Sequence, residues 1–422
     1  MRHEVEATIE TIGARGDGIA TVEGTRIFVP CTVPGDRIVA RLGEKRDEAY
    51  GARLLRIVAP GPGRGQPACR HFGLCGGCAL QHLDDEHYRA WKRQLVIDAL
   101  ARRGLPTEGV EALRPAVQGT RRRADLTAVR RADDLLLGLN ERGTHRVVGL
   151  DECPVLESAI VAALEPLRRT LRLLFTPGER AEVVINALGF GLDVLLVTTA
   201  AFGQGARKRL TELAETLDLA RLSRRHPEES RAETIIERRP ATIRFADVAV
   251  AVPAGAFLQA TEGGERDLVN VVLDGVQGAK RVADLYAGCG TFTFPIAAAG
   301  ASVHAVDGAG ALIGALDAAA KAAKRRAVST AMRDLDRSPL PPDALNAYDA
   351  VVFDPPRAGA RAQAESLARS RVPVIVAVSC EPQTFARDAR ILADGGYTLA
   401  RIVPVDQFLW SPRIELAAVF RR

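Results

Sequence analysis

Four short apolar runs in the last third of the chain, at residues 282–285, 302–306, 350–353 and 374–378, constrain the fold more than any other feature. Each has strand length, and helix-length stretches such as 309–324 separate them. That alternation predicts a doubly wound, Rossmann-like α/β domain over residues 251–422. In an open α/β sheet the carboxyl ends of the strands converge on one crevice, so the residues at those ends carry the first chemical information.

The remainder of the 422-residue chain is too long to be an appendage, and two or three domains are expected. Residues 1–58 break into short segments (5–12, 18–22, 25–29, 36–42 and 50–57) punctuated by Asp17-Gly18, Glu23-Gly24 and Pro34-Gly35. Short strands with such regular turn signals predict a small, OB-like β-barrel. Pro60-Gly61-Pro62-Gly63-Arg64-Gly65 reads as a linker. Residues 59–250 then form a central α+β unit, with a helix over 85–103 that places Trp91, Leu95 and Ala99 on one face, and an amphipathic helix over 201–222.

The formal net charge of +5 permits a nucleic-acid partner without arguing for one. No apolar run is long enough to span a bilayer, and Met1-Arg2-His3-Glu4 lacks the apolar core of a signal peptide, so a cytoplasmic protein is expected, with no membrane partner. Nothing demands more than a monomer. In a reducing compartment the seven cysteines are not a disulfide framework. Three of them, Cys69, Cys75 and Cys78, form Cys-x5-Cys-x2-Cys, and Cys153 follows in Asp151-Glu152-Cys153-Pro154. Four thiolates suit a structural zinc or an iron–sulfur cluster, and Gly76 and Gly77 let the loop wrap and point amides at sulfur.

At the first strand end stands Asp284-Leu285-Tyr286-Ala287-Gly288-Cys289-Gly290-Thr291-Phe292, and Asp307 closes the next strand. Gly288 and Gly290 allow a tight turn and close approach to a ligand, and a carboxylate at that spacing can hold ribose hydroxyls. By itself the pattern is equally an ordinary strand–helix turn with a capping carboxylate. Thr293 stands where a dinucleotide fingerprint needs its third glycine. The segment resembles instead the first motif of S-adenosylmethionine methyltransferases, whose cofactor has no pyrophosphate to rest on a helix N-terminus.

Later strand ends carry Asp354-Pro355-Pro356-Arg357 and Ser379-Cys380-Glu381-Pro382, and Asp406-Gln407-Phe408 precedes Arg413-Ile414-Glu415. A solitary cysteine is usually a small buried hydrophobe. Cys380 departs from that expectation, because it sits at a strand end, in a Pro-bounded turn, beside a candidate cofactor site. Asp-Pro-Pro-Arg, then Ser-Cys-x-Pro-x-Thr-x-x-Arg-Asp over residues 379–388, then a C-terminal Glu, resembles the RNA (uracil-5-)methyltransferase family.

The resemblance implies Cys380 as nucleophile and Glu415 as general base. It implies S-adenosyl-L-methionine contacts by Gln259, Tyr286, Gly288, Gly290, Thr291, Asp307, Asp334 and Asp354. Asp334 is equally readable as a solvated loop carboxylate. Uracil C5 is too weak a nucleophile to take a methyl group directly; thiolate addition at C6 activates it, and a base must later remove the C5 proton. A lowered thiol pKa or base assistance is therefore expected. The chain departs from the family at Gln259-Ala260-Thr261, where Gln-x-Asn is usual, and at Phe408-Leu409-Trp410-Ser411, where Phe-Pro-His-Thr is usual.

The cysteine segment resembles the same family's [4Fe-4S] motif, which implies Cys69, Cys75, Cys78 and Cys153 as ligands. Residues 1–58 resemble its RNA-binding TRAM domain, and Arg121-Arg122-Arg123 with residues 142–146 offer basic side chains to phosphates. TRAM, cluster and methyltransferase together match the branch that modifies 23S ribosomal RNA. A tRNA substrate, or a non-catalytic iron–sulfur RNA-binding protein, are the alternatives.

Overall fold

The computed structural model describes residues 4–422. Strands β1 (Glu4–Thr8), β2 (Thr11–Ile12), β3 (Gly18–Val22), β4 (Thr25–Val29), β5 (Arg37–Arg46) and β6 (Ala49–Ala59) form one sheet in the order β1-β5-β6-β4-β3-β2. Backbone bonds from Ile9 to Asp36 and from Glu10 to Ile19 draw its two ends together. Ile9, Ala20, Ile27, Val29, Ile38 and Ala40 fill a core of its own. Alternation of exposed and covered residues along β1 is the period-2 pattern of a half-buried strand.

Helix α1 (Asp85–Ala101) follows the cysteine-rich loop, capped by the Asp84 carboxylate on the His87 amide. Its buried residues are Tyr88, Lys92, Val96, Ala99 and Leu100, whereas Trp91 and Leu95 are only partly covered. The expected stripe is thus rotated, and it contains a lysine. The central sheet takes β7 (Arg123–Arg130), β8 (Leu135–Asn140), β9 (Val147–Gly149), β10 (Arg180–Leu188), β11 (Gly191–Val197), β12 (Arg221–Arg225) and β13 (Glu233–Glu237) in the order β13-β12-β11-β10-β7-β8-β9. Helices α2 (Ser158–Leu174) and α3 (Gln204–Thr216) cover it. The helix expected to reach residue 222 stops at Thr216, because Leu219–Leu222 turns into β12 and buries in the core of this sheet.

A hairpin, β14 (Thr242–Phe245) and β15 (Val248–Ala251), and helix α4 (Glu262–Gly275) lead into the C-terminal sheet. There β16 (Arg281–Leu285), β17 (Ser302–Asp307), β18 (Val328–Met332), β19 (Ala350–Phe353) and β20 (Val374–Ser379) run parallel. Between them lie α5 (Thr293–Ala298), α6 (Gly310–Ala322), α7 (Pro342–Leu345) and α8 (Arg361–Ala368); α9 (Pro382–Asp394) follows β20. Two further strands, β21 (Thr398–Val405) and β22 (Glu415–Arg421), complete the order β18-β17-β16-β19-β20-β22-β21, with β22 antiparallel to both neighbours.

The doubly wound reading holds, with an antiparallel strand inserted beside β20. The strand order reverses between β16 and β19, which fixes the crevice at their carboxyl ends. Residues 96–113, assigned from sequence to the central unit, bury Val96, Ala99, Leu100, Leu105, Val110 and Leu113 in the core beneath β19, β20 and β22. Val110 and Arg114 also bridge Ile402 and Val405, so this segment runs along the outer edge of β21.

Candidate active site

Past β16 the chain turns sharply, and Tyr286 adopts φ = 59°. An aromatic residue in the left-handed region is strained, and such strain persists where the surroundings over-determine it. The Tyr286 hydroxyl donates to Asp336 Oδ1 at 2.9 Å. Gly290 has φ = 101°, and a Cβ there would stand 2.6 Å from the Phe294 ring, so only glycine fits. Asp307 ties the first two strand ends together: Oδ2 accepts from the Gly288 amide at 2.8 Å and Oδ1 from the Ala309 amide at 2.6 Å. Two lone-pair positions on that carboxylate remain for a ligand's hydroxyls.

Asp284 lies wholly buried beneath this turn. The Thr293 hydroxyl donates to its Oδ2, and its Oδ1 has no partner. Burial pushes its carboxyl up to about 7, with the nearby Asp354 and Asp307 adding to the effect. Thr291 is half-buried and lines a shallow groove with Arg244, Glu262 and Pro295. Asp334 behaves as a loop cap, its Oδ1 accepting from the Asp336 and Arg337 amides at 3.1 Å. Of the two carboxylates, Asp336 is the one bonded to Tyr286; no sequence signal singles it out.

The other strand ends bring three acidic groups together. Asp354 follows β19 and accepts from Gln259 Nε2 at 3.2 Å, while Gln259 Oε1 accepts from Gln407 Nε2 at 2.7 Å. Gln407 also holds Thr261, its Oε1 accepting from that amide at 3.3 Å. Gln259 and Gln407 are both buried, so this relay fixes the entry loop before α4 against the segment preceding β22. Glu415 opens β22 and is 4% exposed. The register that pairs Ser379 with Leu416 brings the next residue of β20's end, Cys380, across from Glu415.

Burial raises Asp354 to about 7 and, with Asp354 alongside, carries Glu415 well above the carboxylate range. The half-buried Cys380 thiol is pushed up to about 12 by burial first, then by Glu415 and Asp354, with Arg357 opposing. Burial thus raises the thiol rather than lowering it, which leaves base assistance of the two expected routes to a thiolate. Three acids in one low-dielectric pocket do not all ionise together, because each charge raises the cost of the next.

The cysteine loop adjoins the same region. Cys69, Cys75, Cys78 and Cys153 are free thiols lining one cavity of about 500 Å³, together with Arg121, Phe408, Leu409 and Arg413. The Gly77 amide donates to Cys75 Sγ and the His71 amide to Cys69 Sγ, both at 3.4 Å. Among the described residues no group of three His, Cys, Asp or Glu is drawn up around a single metal ion. His71 Nε2 is buried beside the cavity without a partner.

The basic residues expected to meet phosphates are mostly engaged within the protein. Arg122 pairs with Glu265, Arg123 with Asp125, Arg142 with Asp17 and Arg146 with Glu141. Arg121 instead lies over the Phe408 ring, 5.5 Å from its centroid, and donates from Nε to the Arg123 carbonyl. Arg122 and Arg142 find their partners on distant elements, whereas Arg123 and Arg146 pair with carboxylates close by in sequence.

Comparison with known proteins adds to this picture. The family model described as tRNA (Uracil-5-)-methyltransferase matches residues 242–422. An uncharacterized RNA methyltransferase of Mesorhizobium japonicum is 42% identical over 98% of this chain and 97% of its own length. A 23S rRNA (uracil(1939)-C(5))-methyltransferase of Halomonas elongata is 33% identical over 97% of this chain and 88% of its own. The crystal structure of Pyrococcus abyssi tRNA (uracil-54, C5)-methyltransferase, in complex with S-adenosyl-L-homocysteine, is 25% identical. It covers 99% of this chain and 100% of that one, with a TM-score of 0.77.

Proposed function

The chain belongs to the RNA (uracil-5-)methyltransferase family, and from that footing we propose that it methylates C5 of a uridine in 23S ribosomal RNA from S-adenosyl-L-methionine. The observation that carries this reading is Cys380 at the end of β20, facing Glu415 and Asp354 in the crevice where the strand order reverses.

In this reading Asp307 receives the ribose of the cofactor, Tyr286 with Gly288 and Gly290 shapes its pocket, and Gln259 and Asp354 border its reactive end. Thr291 and Asp334 are assigned to the same site by the family motif. Bound there, S-adenosyl-L-methionine supplies the methyl group that C5 takes. The half-buried Cys380 thiol gives its proton to solvent, and Sγ adds to uracil C6, the C5–C6 π pair moving to leave an enolate with density on C5. After methylation Glu415 removes the C5 proton; that electron pair restores the C5–C6 double bond and expels the Cys380 thiolate. The target base must leave any stack to reach Cys380.

We read Cys69, Cys75, Cys78 and Cys153 as ligands of a [4Fe-4S] cluster. Tetrahedral zinc needs its thiolates about 2.3 Å from one centre, whereas an eight-atom cluster suits four sulfurs ranged around a wider cavity. Its role would be structural, since this reaction transfers no electrons. The six-stranded N-terminal sheet is read as an RNA-binding, TRAM-like barrel.

The Halomonas relative, a 23S rRNA methyltransferase, supports ribosomal RNA; the full-length likeness to the Pyrococcus tRNA enzyme keeps tRNA as the second reading. Mapping 5-methyluridine by mass spectrometry in both RNAs, from cells with and without the gene, decides between them. Incubation with 5-fluorouridine-containing 23S rRNA and cofactor should trap a covalent adduct, because fluorine cannot leave as a proton. An equal adduct with Cys380→Ala would sink the mechanism.

A further inference from the structure

Lys92 is a lysine with no exposure at all, buried as completely as Phe420 of the core. Its Nζ donates to Asp406 Oδ1 at 3.0 Å and to the Phe408 carbonyl at 3.2 Å, and it also bonds the Arg413 carbonyl. One turn earlier on α1, the Tyr88 hydroxyl donates to Asp406 Oδ2 at 2.6 Å and accepts from the Trp410 amide at 2.8 Å. The Phe408 amide closes onto Asp406 Oδ1 at 2.9 Å. From outside, the Ala79 and Leu80 amides both donate to the Trp410 carbonyl, at 2.8 and 3.0 Å.

Every one of these bonds ends on residues 406–413, the segment that carries the chain from β21 to Glu415. The segment has little regular structure of its own, and Trp410 sits at φ = 58°. A buried ion pair contributes little net stability compared with an apolar pair of the same volume. What this one supplies is geometry: it leaves the loop a single way to lie, with Arg413 anchored and only Ile414 before the carboxylate.

We infer that Lys92 and Tyr88 are positioning residues for the general base, α1 clamping residues 406–413 so that Glu415 meets the C5 proton. The inference rests on the assignment of Glu415 as base. Loosening the clamp leaves Sγ–C6 bond formation and methyl transfer intact, while removal of the C5 proton, and with it breakage of the Sγ–C6 bond, slows.

The test uses the full-length protein with natural 23S rRNA and S-adenosylmethionine, reading turnover and the fraction held as a denaturation-resistant protein–RNA adduct. In parallel, the rate of adduct formation on 5-fluorouridine rRNA reads the first step alone. Lys92→Met should cut turnover on the order of a hundred-fold, the effect of a displacement of about 1 Å in a catalytic group. Tyr88→Phe, which keeps the packing, should cut it about five-fold, the worth of one or two hydrogen bonds.

Both variants, like Glu415→Gln, should accumulate adduct on natural RNA, while 5-fluorouridine trapping stays within a few-fold of the parent. Should Lys92→Met fail to fold, Tyr88→Phe decides. Turnover and trapping falling in parallel, or unchanged turnover in the variants, overturns the clamp. Absence of adduct in Glu415→Gln, with normal 5-fluorouridine trapping, overturns the assignment of the base and the clamp with it.

Discussion

Replacing Glu415 by glutamine should make Cys380 a stronger acid while abolishing turnover. Cys380 stands at about 12, raised by burial and then by the Glu415 carboxylate across the strand pair. Directly opposed side chains on antiparallel neighbours lie about 5.5 Å apart. At an effective dielectric of about 20, one negative charge at that distance costs a thiolate about 3 kcal/mol, or about two pKa units. Solvent at the half-buried thiol screens part of this, so a fall of one to two units, to about 10–11, is expected on Glu415→Gln. The remaining elevation belongs to burial, which the substitution leaves in place. The assay is iodoacetamide labelling between pH 7 and 12, with Cys380 followed separately from the other six cysteines by peptide mass spectrometry. Below the parent midpoint, at alkaline pH where Glu415 is itself ionised, its labelling rate should rise about ten-fold. An unchanged or raised midpoint would refute the electrostatic account of the site. So would a larger fall from Asp354→Asn than from Glu415→Gln, because Asp354 is the weaker of the two influences on the thiol.

Gly290→Ala, which drives a Cβ into the Phe294 ring at φ = 101°, should cost about 1–3 kcal/mol in urea melts and weaken S-adenosylhomocysteine binding in calorimetry. Asp307→Ala frees the Gly288 and Ala309 amides and removes the ribose acceptor; a drop in cofactor affinity of about ten-fold or more is expected, and unchanged affinity would remove Asp307 from the site. Asp284 and Asp354 are both raised to about 7, so the folded protein binds more protons than the unfolded chain between their ordinary value of 3.8 and about 7. Their contribution is thus complete below that window and is lost as pH rises through it; urea midpoints should fall from pH 5 to pH 8, less so in Asp284→Asn. Cys153→Ser should lower bound iron and sulfide and the melting temperature together, whereas a purified protein without iron or acid-labile sulfide would remove the cluster from the proposal.

The candidate site was legible wherever its chemistry is contiguous in sequence. Cys380, Asp354 and the Tyr286–Gly290 turn each end an apolar parallel strand, and the sheet brings those ends together. Glu415 was harder to place, because β22 is buried along six of its seven residues and reads as an undifferentiated apolar tail. Its position depends on antiparallel pairing with β20, which no local pattern encodes. The face of α1 was misread for a related reason. Periodicity assigns a lysine to solvent, and Lys92 is buried only because Asp406 and two carbonyls more than 300 residues away receive it. Arg122 shows the same limit, buried against Glu265 143 residues away, while its neighbour Arg123 pairs with Asp125 two residues on. Gln407 carried no motif, and its bonds to Gln259 and Thr261 emerge only in three dimensions.

The strip of chain along β21 has a consequence for synthesis. Val96, Leu100, Val110 and Leu113 leave the ribosome early, but the apolar surface that receives them includes Ile402, Ile414, Leu416 and Phe420. The earliest-made part of that core therefore waits, uncovered, for nearly the last residues to be translated. A chain cut at residue 241 keeps that apolar helix face and has nothing to place on it; a chain begun at residue 242 exposes the outer edge of β21, a ready template for pairing with its own copies. The two halves are expected to be soluble only as one polypeptide, or when made together in the same cell.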